Sequence, residues 1–172
     1  MESSLALNVL VLLVSIATLI TSLVVARRQL RLAHNSNVLP IIIDMFKDTR
    51  EPEFSRSIEY LLSEFTGQYP HEDGYLNLPP EPKAHIRRVA LFLDDAGKLV
   101  AHGVVDERII LGSYAVLIAR TWETLAPYVY SERARQGNFT MIYLEDLAAR
   151  ARSTPASSVH AALGLRRLPP VE

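Results

Sequence analysis

The sequence predicts an all-α protein in which a single N-terminal transmembrane helix precedes a cytoplasmic bundle of about five helices. The first observation behind this prediction is a run of 22 residues, 5–26, that carries no formal charge. The second is that apolar residues recur three and four positions apart through most of the remaining chain, which is the period of an amphipathic α-helix. No segment shows the period of two that a half-buried strand requires.

The apolar run is long enough to cross a bilayer. At about 1.5 Å per helical residue it reaches roughly 33 Å, against a hydrocarbon core of about 30 Å. Arg27, Arg28 and Arg31 follow it at once, and no Lys or Arg precedes it. Because positive charge is retained on the cytoplasmic side, this asymmetry predicts a single-pass protein of the cell membrane, with its N-terminus outside and its C-terminal domain in the cytoplasm.

Two other interpretations of this region remain open. Val24 and Ala26 could precede the cleavage point of a secretory signal, but such a signal needs a positive N-terminal region and a shorter apolar stretch, and the first seven residues carry only Glu2. The three arginines could also attract anionic lipid, although topology alone explains them. The predicted transmembrane helix makes the lipid bilayer the first predicted partner.

Small and weakly polar residues form a heptad-like stripe along the predicted span. Helices in lipid associate through close packing and interhelical hydrogen bonds, so this stripe is a candidate homodimer face. The alternative is that Ser and Thr are simply tolerated in a single span. The stripe consists of Asn8, Val11, Ser15, Thr18, Ser22 and Val25, and its pairing candidates are Asn8, Ser15, Thr18 and Ser22.

Composition limits what the rest of the chain can be. Without the anchor and its basic edge, roughly 140 residues remain, which is the size of one domain. The chain has 18 Lys and Arg and 19 Asp and Glu; leaving out the three arginines and Glu2 gives 15 and 18, a net charge of −3. A nucleic-acid-binding domain normally shows a basic face, so nucleic acid is not an expected partner. The absence of cysteine excludes thiol catalysis, disulfides and zinc ribbons, and fits a reducing compartment.

Turn-forming residues divide the first part of the domain. The anchor helix is expected to end at the cluster His34–Asn37, which closes a first region of residues 1–33. A second helix would begin with Asn37 as its N-cap and Pro40 in its first turn. Thr49–Pro52 would end it and open a third helix, whose apolar residues repeat at helical spacing. Those residues are Phe54, Ile58, Leu61, Leu62 and Phe65.

Residues 66–82 contain two Gly and four Pro and no apolar period, so they predict a long loop. Tyr69, His71 and Tyr75 could form a recognition surface there, or the loop could be a solvated connector.

The fourth predicted helix carries Ile86, Val89, Ala90 and Leu93 on one face. Gly97 is expected to loosen or bend it, and Gly103 stands where a left-handed C-cap is needed.

A fifth helix is predicted from Asp106, its N-cap, to Arg135, with a kink at Pro127. After a turn at Gly137–Asn138, a last helix is expected over Phe139–Arg152. Its inward residues would be Ile142, Tyr143, Leu147 and Ala151. The domain thus spans residues 34–152, and residues 153–172 read as a disordered tail.

No arrangement of catalytic or metal-binding residues is evident. None of the five histidines pairs with another at i+3 or i+4, so no metal motif is present. Asp94 and Asp95 would point about 100° apart on a helix, which favours solvation or helix capping over paired acid–base chemistry. Ser113 does not lie in a nucleophile elbow. The sequence therefore predicts no catalytic, cofactor-binding or metal-binding residue and leaves enzymatic activity uncertain, with a preference against it.

Three residues are candidates for an interaction surface or pocket. Trp122, the only tryptophan, is either a core anchor or a ligand platform. Tyr128 adjoins the predicted kink, where core packing is the simpler role. Arg133 near the helix C-terminus either stabilises the helix dipole or binds an anion.

Several short segments along the chain carry a family resemblance through their order and spacing. They are Arg50–Phe54, Leu78–Pro79, Val89–Phe92, Gly97–Val100, Gly103–Asp106, Trp122 with Leu125 and Pro127, Arg133, and Tyr143–Ala148. In that order, over residues 27–150, they resemble an uncharacterised bacterial family of membrane-anchored all-helical domains, known only as a domain of unknown function. The resemblance implies an anchored all-α module and brings no catalytic residue. Tyr143 departs from it, since Phe is expected there.

These observations together predict a membrane-tethered, non-enzymatic adaptor or sensor that acts through an unknown protein partner at the inner membrane surface. Tethering raises local concentration, so even a weak interface can matter. The alternative is a membrane-bound enzyme or small-molecule-binding domain with a pocket between the fourth and fifth predicted helices, near Gly97, Gly103 and Trp122.

Overall fold

A computed structural model describes residues 2–166 and 168, and describes side chains for 11–27, 29, 38–166 and 168. The described chain is all-helical and contains no strand, as predicted. A π-helical turn, Tyr60–Glu64, follows α2, and a 3-10 turn, Tyr75–Asn77, precedes α3. The α-helices are α1 (Glu2–Asp48), α2 (Pro52–Glu59), α3 (Pro80–Ala101), α4 (Glu107–Gln136), α5 (Ile142–Ser153) and α6 (Ala156–Ala162).

The chain forms two compact units, Met1–Phe46 and Lys47–Glu172. The first consists of α1, which is one continuous helix. The predicted turn at His34–Asn37 and the separate helix starting at Asn37 are therefore wrong. Extending an existing helix through weak helix formers costs only a few tenths of a kcal/mol per residue, whereas starting a new one requires a costly nucleus. Pro40 lies inside α1 instead of in a first turn.

The apolar side chains of α1 that the structure describes are exposed within the chain itself, including Leu12, Leu19 and Val24. The described apolar stretch, Val11–Arg27, is shorter than a full span, because residues 5–10 fall outside the described side chains. Among the described residues, α4 is the helix long and apolar enough to cross a membrane by length and composition. However, α4 carries ten buried residues and packs against several other helices, which is typical of a core helix.

The second unit begins with the last two residues of α1, Lys47 and Asp48, and the break that the sequence predicted at Thr49–Pro52 follows them. Glu51 is extended, with ψ of 137°, and Pro52 is the first residue of α2. Phe54 and Leu61 are buried, and the π-helical turn places Phe65 in the core as well, with its N–H bonded to the Tyr60 carbonyl at 2.9 Å. The predicted third helix therefore forms, but with a wider final turn.

Both predicted signals between α3 and α4 are confirmed. Gly103 has a φ of +67°, the left-handed conformation of a C-cap glycine. Asp106 caps α4, since its carboxylate accepts a hydrogen bond from the Arg108 N–H at 2.9 Å. At the other end of α4, Gly137 is also left-handed and ends the helix at the predicted turn. Pro127 lies inside α4 and supplies no N–H to the Glu123 carbonyl.

Gly97 does not loosen α3; it lets α5 approach. A Cβ added at Gly97 would lie 2.8 Å from the carbonyl carbon of Tyr143, and closer still to its oxygen. The side-chain-free surface of Gly97 thus sets the spacing at which α3 and α5 pack.

The inward face predicted for the last helix was partly wrong. Ile142 is 40% exposed, whereas Leu144, Leu147 and Ala148 are buried. The helix begins at Ile142, later than predicted, because Met141 takes a left-handed conformation with φ of 54° and buries its own side chain. The residues that face the core therefore differ from the predicted ones, with Leu144 and Ala148 buried and Ile142 exposed.

Part of the predicted disordered tail is helical. Residues 156–162 form α6, whose Val159 is almost completely buried. His160 Nε2 lies 2.9 Å from the Gly112 carbonyl oxygen of α4. Gly112 faces Val159, and a Cβ added there would lie 3.5 Å from Val159 Cγ1, which is an ordinary van der Waals contact.

Candidate functional site

The structure brings Trp122 and Arg133 together at one end of the α4–α5 hairpin. Trp122 is buried, and the Arg133 guanidinium carbon lies 5.9 Å from the centre of its ring. The same guanidinium is 5.6 Å from the ring centre of Tyr130, which packs edge-on against Trp122. The two predicted candidates are therefore parts of a single cation–aromatic cluster.

Glu145 on α5 completes this cluster. Arg133 Nη1 donates to Glu145 Oε2 at 2.5 Å, and the Tyr130 hydroxyl donates to Glu145 Oε1 at 2.7 Å. Arg133 Nε also donates to the Thr140 carbonyl at 2.9 Å. The Arg133 side chain thus ties α4 to the turn at Thr140 and to α5 at Glu145. These contacts give Arg133 a structural role instead of leaving it open to an anion.

The electrostatics of Glu145 follow from these contacts. Burial acts to raise the pKa of Glu145, but the hydrogen bonds from Tyr130 and Arg133 outweigh it and hold the pKa below its ordinary value. The hydrogen bond to Glu145, with some burial, raises the pKa of Tyr130. Glu145 is therefore ionised at neutral pH and already bonded to Arg133 and Tyr130, so it does not suit general acid catalysis.

The outer face of this hairpin is apolar near its tip. Phe139 is 77% exposed and Tyr130 49% exposed, and Ile142 adds a third exposed apolar side chain. Glu123 and Arg152 lie 3.7 Å apart further along the two antiparallel helices. We call Tyr130, Phe139 and Ile142 the hairpin tip. The hairpin tip was not predicted, because helical spacing put Ile142 on the inward face and Phe139 at the start of the last helix.

Tyr128 lies in a different set of contacts. Its hydroxyl donates to the Tyr69 carbonyl at 2.7 Å, and its ring is 4.9 Å from that of Phe65. Tyr69, His71 and Tyr128 line a surface cleft of about 410 Å³ beside Pro127. Tyr75, the third loop residue singled out, is instead buried, with its hydroxyl 3.1 Å from Thr140 Oγ1.

The loop that carries these residues is fixed to α4 by Glu132. Glu132 is almost completely buried, and its Oε2 accepts the Leu76 N–H at 3.2 Å. Gly74 passes so close that a Cβ there would overlap Glu132 Oε2. Residues 66–79 are therefore an ordered strap over the C-terminal half of α4, whereas 80–82, predicted as part of the loop, form the first turn of α3.

A second cleft, of about 240 Å³, lies between α2 and α3 and contains a Ser–His pair. Ser57 is buried, and its Oγ lies 3.0 Å from His85 Nδ1. The Ser57 hydroxyl also donates to the Glu53 carbonyl at 2.8 Å, within its own helix. Because a hydroxyl has one proton, the hydrogen in the Ser57–His85 bond comes from Nδ1. His85 then cannot serve as the base that would activate Ser57 as a nucleophile.

Tyr60 closes one side of that pair. Its ring centre is 4.6 Å from that of His85. Burial, together with the hydrogen bond that the Tyr60 hydroxyl donates to Tyr69, raises the pKa of Tyr60 to about 12. Tyr60 therefore stays protonated at neutral pH and packs against the imidazole.

The sequence predicted a pocket between the fourth and fifth helices, which are α3 and α4 in the structure. The three residues named for that pocket lie in different surroundings. Gly97 faces the α5 backbone, Gly103 ends α3, and Trp122 packs in the hairpin cluster. The two clefts described above are lined by other residues. Within the described part of the chain, no group of three His, Asp or Glu is placed to hold a metal ion.

The predicted pairing stripe on α1 is only partly described. The Ser15 and Thr18 hydroxyls each donate to the carbonyl four residues earlier, at 2.8 Å, so their donors are already used. A shallow groove beside Thr18 and Ser22 includes Ala17. The side chains of Asn8, Arg28 and Arg31 lie outside the described residues, and Arg27 is exposed. Pairing through this stripe stays a prediction.

The fold and these clusters define a class: a helical-bundle domain attached to a long N-terminal helix. The chain belongs to the family described as Domain of unknown function (DUF4760), whose model matches residues 11–151. This confirms the resemblance to an uncharacterised family and extends it into the apolar part of α1. No curated protein and no solved structure matches the chain.

Proposed function

We propose that this protein is a membrane-tethered, non-enzymatic adaptor or sensor, held by α1 with its domain at the inner membrane surface and acting through a protein partner. The observation that carries the proposal is the hairpin tip. Phe139 exposes a whole aromatic ring on a turn that is tied down on both sides by Arg133. Aromatic side chains held rigidly on a surface are the usual anchors of protein interfaces.

The chemistry of the domain supports binding over catalysis. Glu145 accepts hydrogen bonds from both Arg133 and Tyr130, Arg133 Nη2 is buried without a partner among the described residues, and the orientation of the Ser57 proton argues against a Ser–His nucleophile. The Glu145 carboxylate, held by these two donors, shapes the surface and is poorly placed to transfer a proton. The hairpin tip, by contrast, has apolar area that a partner would bury at roughly 25 cal/mol per Å².

The tether is supported by the family match and by composition. The family model runs from residue 11 through residue 151, so the family includes the apolar stretch as well as the domain. Arg27 directly follows the apolar stretch. A positive edge on that side favours a cytoplasmic domain.

The partner is tested by affinity capture from native membranes in mild detergent, with the full chain as bait. The test variant is Phe139→Asp and the matched control is Val116→Asp, since Val116 is a 69% exposed apolar residue on α4 outside the hairpin tip. We expect specific partners to be recovered with the wild type and the control and to be lost with Phe139→Asp. Identical partner sets from all three baits would refute an interface at the hairpin tip.

Topology needs a separate measurement. A C-terminal fusion to a reporter that is active only in the cytoplasm should be active, and removal of the three arginines should lower that activity. A reporter active only outside would reverse the orientation.

A further inference from the structure

The cleft between α2 and α3 gathers positive charge. Its lining residues come from both helices: Glu53, Arg56 and Ser57 from α2, and Ala84, His85 and Arg88 from α3. Arg88 Nη2 pairs with Glu53 Oε2 at 2.7 Å. Arg56 makes no ion pair with any residue that the structure describes. The cleft therefore carries one more positive than negative charge, even with His85 neutral.

The imidazole in this cleft is held in one orientation. Its Nδ1 donates to Ser57, whose own proton is used on the Glu53 carbonyl, and the Tyr60 ring lies against it. In the neutral ring Nε2 is then an acceptor, so it hydrogen-bonds a phosphate oxygen that carries a proton, and the unprotonated oxygens are left to the guanidinium groups. A fixed imidazole beside two guanidinium groups costs little further ordering when an anion binds.

We propose that this cleft binds a phosphate monoester. Arginine guanidinium groups match the oxygens of phosphate with two parallel hydrogen bonds, and a doubly charged group gains more from two arginines than a carboxylate does. A volume of about 240 Å³ accommodates the phosphate with part of the group that it esterifies. This site is distinct from the hairpin tip, and the inference does not depend on the proposed function.

The ion pair between Glu53 and Arg88 makes the proposed site testable by a single substitution. In the free protein Glu53 occupies Arg88, so an incoming phosphate competes with this carboxylate for the same guanidinium. Removing the charge of Glu53 should therefore strengthen binding, whereas a purely structural role for the Glu53–Arg88 pair would make the same substitution neutral or harmful to the site.

The phosphate could belong to a lipid headgroup or to a soluble ester, and the recognition chemistry is the same. The full chain is reconstituted in phosphatidylcholine nanodiscs, with and without phosphatidic acid, and titrated calorimetrically with phenyl phosphate. If the group is a soluble ester, phenyl phosphate binds in both discs; if it is a lipid headgroup, phosphatidic acid abolishes the phenyl phosphate signal. Both results support the site, and absence of binding in phosphatidylcholine discs overturns it.

Variants locate the binding. Arg56→Gln should weaken phenyl phosphate at least about tenfold, as loss of a charged hydrogen bond does. Glu53→Gln should strengthen it about threefold or more. The matched control is Arg87→Gln, which removes the same charge from an exposed neighbour that does not line the cleft, and should change affinity less than about twofold. Equal weakening by Arg56→Gln and Arg87→Gln would show general charge attraction and overturn the proposal.

Discussion

The Asp94 carboxylate of α3 accepts a hydrogen bond from the Leu144 N–H at 2.9 Å, and another from the Tyr143 N–H at 3.1 Å. Both donors belong to the first turn of α5, whose N-cap residue, Met141, has no side-chain oxygen to cap it. Asp94 therefore caps a helix 50 residues away in the chain. Of the roles that the sequence left open for Asp94 and Asp95, helix capping is the one that Asp94 performs.

Replacing Asp94 with Ala should lower the free energy of unfolding by roughly 0.5–2 kcal/mol, the cost of losing a helix N-cap. The measurement is urea denaturation of the full chain in detergent, followed by the fluorescence of Trp122, the only tryptophan and a buried one. Asp95→Ala is the control, since Asp95 is exposed and pairs with Lys98 on its own helix. Equal losses in the two variants would contradict the capping role.

Local signals and distant contacts differed in how far the sequence could predict them. Gly103, Asp106 and Gly137 act on their own helix ends, so residue type and position were enough to identify them. Asp94 and Gly97 act on α5, and Ser57 meets His85 across two helices. Such contacts depend on how helices pack, which a single sequence does not specify.

The α1 helix shows that local residue signals can also predict a turn that does not form. Asn, Ser and Pro between residues 34 and 40 were sufficient grounds to predict a turn, yet the helix continues to Asp48. Asn and Ser weaken a helix modestly and Pro40 costs more, about 3 kcal/mol, but the apolar helix before them supplies a nucleus that extends through the weak stretch.

Two helical glycines should respond in opposite ways to Ala. Gly97→Ala places a methyl group against the Tyr143 carbonyl and should lower the free energy of unfolding by roughly 1–3 kcal/mol through overpacking. Gly112→Ala meets Val159 at an ordinary 3.5 Å and should be neutral or stabilising by up to about 1 kcal/mol. The same urea titration compares them. Similar destabilisation by both would contradict the close α3–α5 packing.

The Glu145 cluster predicts a dependence of stability on pH. Because the folded pKa of Glu145 is held below its ordinary value, its ionised form stabilises the folded state above the unfolded pKa, about 4.3. That contribution is lost as the pH falls through the folded pKa. The difference in free energy of unfolding between wild type and Glu145→Gln should therefore be largest near neutral pH and shrink below about pH 4.

Glu59→Gln is the control for this titration, because Glu59 is exposed and makes no ion pair in the described part of the chain. Its difference from the wild type should stay nearly constant over the same range. A Glu145→Gln difference that is equally flat would mean that Arg133 and Tyr130 do not stabilise the ionised carboxylate.

The last helix offers a direct test of whether the chain beyond residue 153 belongs to the folded domain. Val159→Ala removes two buried methyl groups and should lower the free energy of unfolding by about 2 kcal/mol, combining lost transfer energy with a small cavity. Val116→Ala makes the same chemical change at a site 69% exposed on α4 and should leave stability nearly unchanged. Trp122 fluorescence reports the core rather than α6 itself, so a lower urea midpoint for Val159→Ala alone would show that α6 unfolds together with the rest of the domain. Equal midpoints for the two variants would return residues 153–172 to the disordered tail that the sequence suggested.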